Sequence, residues 1–376
     1  MRFIKHVYKI HTYTQEGRLF EGKTPASAFL NSSYDGSFIA GLMELRYIQS
    51  LPVERIINYF EGYDFTLKKP TAHKLIEKAS SLFENLYKCI RQTALSDPYK
   101  AADETYYKIL VPEKNSKGKG VRKGYLWVVV GINTRMIYLL YDDGSRSERV
   151  ILNELGSCKG IIQSDGYSPY RKLESDAYPN ITRIPCLQHI KRKFIDCGEK
   201  DPDAKRIVEL INALYQNEHK HKVGVEGWTV EQNLMHRKKY APDILGEIKD
   251  VLDEIEERGD LFPMSELQEA ITYLRNEWNA VVDIFNYGDT YLDNNMVERM
   301  NRYISLSRKN SLFFGSHKGA ERGAILYTIA LTCRMHKVNL FAYLTDVINR
   351  TAEWQPNTPI EKYRELLPDR WEKAND

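Results

Sequence analysis

Three acidic residues, far apart in this chain, are of the type that gathers divalent cations. Asp103 lies in "ADETYYKIL", Asp165 in "IIQSDGY" and Glu298 in "YLDNNMVERM". Phosphodiester chemistry without a covalent enzyme intermediate is commonly run by two divalent cations. One activates the attacking water or hydroxyl and the other stabilises the leaving oxygen. Ions roughly 3.5–4 Å apart need one carboxylate between them and others at their sides, so three carboxylates must converge from separate elements. Each residue also has a plain reading. Asp-Glu ahead of a strand is ordinary punctuation, and Asp-Gly is a turn signal that Asp142 and Asp143 repeat in "YDDGS". Asp293 is suited to capping a helix, which leaves Glu298 to pair with Arg302 one turn on. On residue pattern alone both readings stand.

The elements that would position these residues can be read from periodicity. "DETYYKILV" is rich in β-formers, "YLWVVVGI" is a continuous apolar run, and "MIYLLYDDGS" ends in a turn. A helical pattern follows in "SERVILNELG", then the buried-looking strand "GIIQSDGY" and the stretch "ITRIPCLQHI". Three strands, a helix, a strand, a helix and a strand describe an α/β fold with a mixed sheet, in an order that fits the ribonuclease H-like architecture. Parallel neighbours ending at one edge would bring Asp103 and Asp165 together, with Glu298 closing from a following helix. Residues 1–98 read as mostly helical, with Pro52 and Pro70 at helix starts. Two helices about a Gly turn there admit a helix-turn-helix with Lys68, Lys69 and Lys74 nearby, although a plain helical hairpin fits better because the second helix lacks a clearly polar face. Residues 99–195 then form the first part of the core, 196–287 a helical insertion containing the acidic "EIKDVLDEIEERGD", 288–316 the closing helix with its Glu, and 317–376 a helical carboxyl-terminal region.

Net charge over 376 residues is only +3, but the basic residues cluster. One block holds Lys114, Lys117, Lys119, Arg122 and Lys123; others are Lys191-Arg192-Lys193, His236-Arg237-Lys238-Lys239, and Arg299, Arg302, Arg308 and Lys309. Such blocks are either solvated faces or the footprint of a phosphate backbone. With 28% charged and 42% hydrophobic residues, the composition excludes global disorder. No apolar run approaches the ~18 residues of a membrane helix, and the start lacks a signal-peptide core. Five scattered cysteines, an odd number, suit a reducing cytosol rather than a disulfide framework.

Five words in register carry a resemblance: "ADET", "IIQSDGYSPY", "CLQHIKRKF", "YLDNNMVERMNR" and "SRKNSLFFGSHKGAERGAILYTI". In this order the chain resembles transposases of the insertion sequence 66 family, bacterial DDE transposases with a ribonuclease H-like core. The likeness extends upstream through "RYIQSLPVERIINYFEGYDFTLKKPTAHKLI" and downstream through "NLFAYLTDVI" and "ELLPDRW". It implies that Asp103, Asp165 and Glu298 are the DDE triad. Cys186 and His189 match a Cys-x-x-His signature of several DDE groups. Two such residues are half of a usual zinc set, so packing for Cys186 and a polar contact near the scissile phosphate for His189 are the expected roles. Lys191, Arg192 and Lys193 then sit one turn on, facing DNA phosphates, with Arg302, Arg308, Lys309 and Asn310 as further DNA contacts. The family's Gly-Arg-Lys-Asn-Trp reads here "SRKNS", and Leu187 stands where Trp follows the Cys. These departures bear on packing or base contacts and leave the carboxylates intact.

The function so implied is cleavage at transposon ends and strand transfer into target DNA, with two Mg²⁺ ions (Mn²⁺ as substitute) held by Asp103, Asp165 and Glu298. The partners implied are transposon-end DNA, target DNA, a second copy in a homodimer on DNA and small accessory proteins of the same element, in a bacterial cytoplasm without a membrane role. Full-length relatives carry a cysteine-rich zinc-binding segment and further DNA-binding helices ahead of the point where this chain begins, so weaker recognition of the element's ends is expected. Two rivals follow: a truncated, catalytically silent remnant that only binds DNA, and a ribonuclease H-like nuclease acting on RNA–DNA hybrids.

Overall fold

The computed structural model describes residues 2–22, 27–29, 32–114, 118, 120–198, 201–220, 223–355 and 357–372. Lys117 and Lys119 of the first basic block lie outside the described residues. The chain opens with an exposed hairpin, β1 (Thr12–Gln15) and β2 (Arg18–Glu21). Glu16 and Gly17, at φ 50° and 76°, make its two-residue turn. Four helices follow: α1 (Gly36–Met43), extended by a π-helical turn (Glu44–Ile48), α2 (Val53–Glu61), α3 (Lys69–Leu82) and α4 (Glu84–Ser96). Pro52 precedes α2 and Pro70 lies in the first turn of α3, where a missing N–H costs nothing.

The sheet is built from β3 (Tyr99–Leu110), β4 (Val121–Gly131), β5 (Ile137–Leu140), β6 (Gly160–Ser164) and β7 (Ile181–Pro185), with α5 (Glu148–Leu155) and the short α6 (Ser168–Arg171) as crossovers. Its order is β5-β4-β3-β6-β7; β3, β4 and β5 pair antiparallel, and β6 and β7 run parallel to β3. The continuous apolar run Leu126–Val130 is what an interior strand covered on both faces requires, and all five residues are buried. α7 (Leu187–Asp196) begins directly after β7. The strand stops at Pro185, inside the stretch "ITRIPCLQHI", whose last residues belong to the helix. Pro185 ends the ladder and Cys186 is the extended residue before the helix.

Three long helices come next: α8 (Pro202–Lys220), α9 (Val230–Arg258) and α10 (Glu266–Ile284). The acidic stretch of α9 turns Ile248, Val251, Leu252 and Ile255 inward and its acids outward. A Thr229/Gln232 capping box opens α9, and Gly259 at φ 67° closes it. Arg237, in one of the basic blocks, is buried. It donates to the Tyr287 and Thr290 carbonyls and pairs with Glu218, so it joins helices rather than facing a phosphate. The chain returns to the sheet through α11 (Asn295–Asn310) and β8 (Phe313–Phe314), which pairs in parallel with the far end of β3. It ends with α12 (His317–Met335), α13 (Leu340–Ala352) and α14 (Ile360–Arg364).

The two terminal helical regions pack on each other, α1 on α13 and α12 on α3 and α4. α4 and α12 together cover the β4–β5 side of the sheet. The hydroxyl of Thr328 accepts the Leu139 N–H, and Thr332 both accepts from and donates to Ile137, so the backbone of edge strand β5 is satisfied by side chains of α12. No helix among the described residues is long and apolar enough to cross a membrane.

Candidate active site

β3 and β6 pair in parallel, with Tyr99 opposite Ile161 and Ala101 opposite Gln163. The same register carried two residues further sets Asp103 opposite Asp165. Asp165 follows the last residue of β6, whereas Asp103 sits mid-strand, because β3 continues to Leu110 beside β4 and β8. The sheet edge that exposes the pair is therefore made by β6 ending, not by β3. Asp103 Oδ1 accepts the Glu104 N–H at 2.8 Å and Oδ2 accepts Asn301 Nδ2 at 2.6 Å. Burial, the neighbouring Glu104 and then Asp165 raise the Asp103 carboxyl to about 8. Glu104 is pushed up by burial, while its ion pair with Arg146 opposes that rise.

α11 is fixed to β3 by its own first residues. Asn294 Nδ2 donates to the Ala102 carbonyl at 3.0 Å, and Asn301, two turns later, reaches Asp103. Asp293 does not cap the helix; Asn294 is the residue at the cap, and Asp293 accepts the Asn295 N–H. Glu298, one turn before Asn301, turns toward α7. Its Oε1 lies 3.7 Å from His189 Nδ1, and no ion pair joins it to Arg302 among the described residues. Cys186 Sγ accepts the Asn294 N–H at 3.2 Å, and burial pushes the thiol up to about 12. The pairing of α7 with α11 also runs through the backbone, Leu187 N–H to Leu292 O at 2.9 Å.

The Asp165 turn is braced from beneath. Arg183 on β7, fully buried, donates to the Asp165 carbonyl at 2.7 Å and to Ser164 Oγ, and pairs with Glu174 and with buried Glu277 on α10. Gly166 N–H donates to the Tyr273 hydroxyl at 2.8 Å, and a Cβ on Gly166 would meet that oxygen at 2.5 Å. Above the turn opens a cleft of about 280 Å³ lined by Asp165, His189, Arg146, Arg192, Lys193, Asp196 and Tyr273. Its charges sit beside rings: Arg146 over Tyr167 at 4.1 Å, and Lys193 near Tyr273 at 5.9 Å.

The other basic residues singled out from sequence are placed differently. Lys191 is half-buried; Arg302, Lys309 and Asn310 are exposed. Arg308 lies 3.8 Å over the Tyr106 ring and donates to the Tyr106 carbonyl, tying the end of α11 to β3. On α3, Lys68 and Lys74 are exposed and Lys69 pairs with Glu54. Asn301, Glu104, Arg146, Tyr273 and the Arg183–Glu277 pair were not singled out from sequence. Only Asn301, in the word "VERMNR" on the Glu298 side of a helix, carried a local signal.

A mixed sheet carrying an acidic pair beside a cationic cleft is the class that fold and site define. Within it, the chain belongs to the IS66 family of transposases: the family model "Transposase IS66 family" matches residues 31–322. The chain is similar to three proteins of Sinorhizobium fredii (strain NBRC 101917 / NGR234). It is 26% identical over 370 residues to uncharacterized protein y4jD, covering 95% of this chain and 70% of that protein. With uncharacterized protein y4hP it shares 29% over 233 residues, covering 57% and 40%, and with uncharacterized protein y4qI 28% over 275 residues, covering 69% and 49%. The chain thus spans less than half the length of two of these relatives.

Proposed function

We propose that this chain is a DDE transposase with a ribonuclease H-like core, acting on transposon-end and target DNA. The observation that carries the reading is the parallel β3–β6 register, which ends with Ala101 opposite Gln163, two residues short of Asp103 and Asp165, with α11 tied to β3 through Asn294 and Asn301. The strand order, three antiparallel strands followed by two parallel ones, supports the ribonuclease H-like assignment. Asp103, Asp165 and Glu298 would hold two Mg²⁺ ions. The chemistry of the site fits hard cations: burial and neighbouring carboxylates disfavour ionised Asp103, and Glu298 Oε1 and Asn301 Oδ1 are buried without hydrogen-bond partners. When bound, the ions supply activation of the attacking oxygen and charge stabilisation at the leaving oxygen.

The chain's own residues do the positioning. Asn301 fixes one oxygen of Asp103, and the Arg183 and Tyr273 contacts hold the Asp165 turn still. Arg146, Arg192 and Lys193 line the cleft beside Asp165, where a phosphate backbone would lie. Joining requires two ends held at once, so the reading includes a homodimer on DNA, and small accessory proteins of the same element as further partners.

The test is joining of a pre-cleaved element end to a target plasmid, with and without Mg²⁺ or Mn²⁺, with Asp165→Asn as control. Joined product that needs both the metal and Asp165 is the expected outcome. Folded, DNA-binding protein that joins nothing under any metal would replace this reading with a binding-only remnant.

A further inference from the structure

We propose that Cys186, His189 and Glu298 form a second cation site, one for a zinc-class ion, which shares Glu298 with the proposed Asp103–Asp165 set. The three residues come from the start of α7 and the first turn of α11, two elements already locked together through Leu187 and Leu292. One donor atom from each lies within 4.8 Å of the other two. Their chemistry is selective. A thiol, an imidazole and one carboxylate suit Zn²⁺ or Co²⁺, whereas Mg²⁺ prefers oxygen alone.

Two features argue that these atoms face a common point rather than one another. His189 Nδ1 and Glu298 Oε1 are buried with no hydrogen-bond partner, and at 3.7 Å they are too far apart to bond directly. That separation is a few tenths of an ångström wider than the roughly 3.3 Å edge between nitrogen and oxygen ligands of a zinc tetrahedron, a difference that a small side-chain rotation closes. The Asn294 N–H donates to Cys186 Sγ at 3.2 Å, an outer-shell contact of the kind that orients a ligating sulfur. A bare His–Glu ion pair would leave the separation of the two atoms and the sulfur beside them unexplained. Three protein ligands leave a fourth position, and His189 also lines the cleft beside Asp165, so that position is within reach of solvent. Binding displaces the Cys186 proton to solvent as the sulfur–metal bond forms.

The site stands on geometry alone and is tested without reference to catalysis. Metal-stripped full-length protein is titrated with Co²⁺, followed by near-ultraviolet thiolate-to-cobalt absorption and by equilibrium dialysis. The expected result is one Co²⁺ per chain with that absorption, displaced by Zn²⁺. Cys186→Ser should abolish the band, and His189→Gln should weaken binding by more than the roughly 100-fold that loss of an outer-shell contact costs. Cys197→Ser, at the far end of α7, should keep the band. Circular dichroism checks each variant, and His189→Gln carries the test if Cys186→Ser does not fold. Absence of the band in the unmodified protein, or an equal band in folded Cys186→Ser or His189→Gln, overturns the proposal. Joining that fails in Mg²⁺ alone counts against the transposase mechanism, while the cobalt band still decides this site.

Discussion

Burial, Glu104 and Asp165 all oppose the ionised form of Asp103. Its carboxyl is raised to about 8, against ~3.9 in an unfolded chain. Because the folded state holds this proton more tightly, stability falls as pH rises from about 4 and is fully reduced above about 8. Asp103→Asn cannot ionise. In metal-free protein its urea midpoint should therefore gain on that of the unmodified chain between pH 5 and pH 8.5, by the equivalent of about 2–4 kcal/mol. An unchanging difference would mean that the carboxyl titrates near its ordinary value. Mg²⁺ should narrow the gap by taking the proton's place. On the proposed function, Asn301, the donor to Asp103 Oδ2, would act as a positioning residue. Asn301→Ala is expected to lower joining about 10–100-fold and to raise the Mg²⁺ concentration needed for half-maximal rate, with circular dichroism unchanged. An unaltered Mg²⁺ dependence would separate Asn301 from the metal set.

Between elements, the decisive link is β7 to α10. Arg183 and Glu277 are both 0% exposed, and Arg183 also holds the Asp165 carbonyl. Glu277→Ala leaves a buried guanidinium with Glu174 as its remaining carboxylate partner, and should cost about 3–5 kcal/mol in denaturant unfolding. The double change Arg183→Met with Glu277→Leu should cost much less, since it removes both charges. Equal losses would show that the pair matters for packing rather than charge. This link also marks where legibility in the sequence stopped. β6 could be read from Gly160-Ile161-Ile162 running into Asp-Gly, and β4 from its apolar run, because both signals are local. That β3 runs on past Asp103 was legible in "DETYYKILV", whereas its start at Tyr99, where it pairs with β6, was not, because that stretch carries no strand signal of its own. Arg183 looked like one basic residue among many, and its partner sits on a helix of the long insertion. Cys186 and His189 were visible as a spacing, but their shared neighbour Glu298 comes from another helix. Pairings across the chain have no period to reveal them.

For the whole molecule, net charge is nearly balanced, yet Arg146, Arg192 and Lys193 gather at one cleft. Binding of duplex DNA should weaken linearly in log affinity against log salt, and Arg192→Ala with Lys193→Ala should reduce that slope by about 2, measured by fluorescence anisotropy. A slope unchanged in the double variant would move the DNA path elsewhere. The threonines of α12 that satisfy edge strand β5 have a consequence in time rather than space. A nascent chain leaves the ribosome amino end first, so β5 is made long before Thr328 and Thr332 exist. Asp103 likewise waits for Asn301, 198 residues downstream. Until most of the polypeptide has emerged, the sheet has a raw border and the acidic cluster lacks its last wall. A chain threaded this way completes the surroundings of Asp103 and the border of β5 only when its last third has been made, and a product cut short before α11 lacks both.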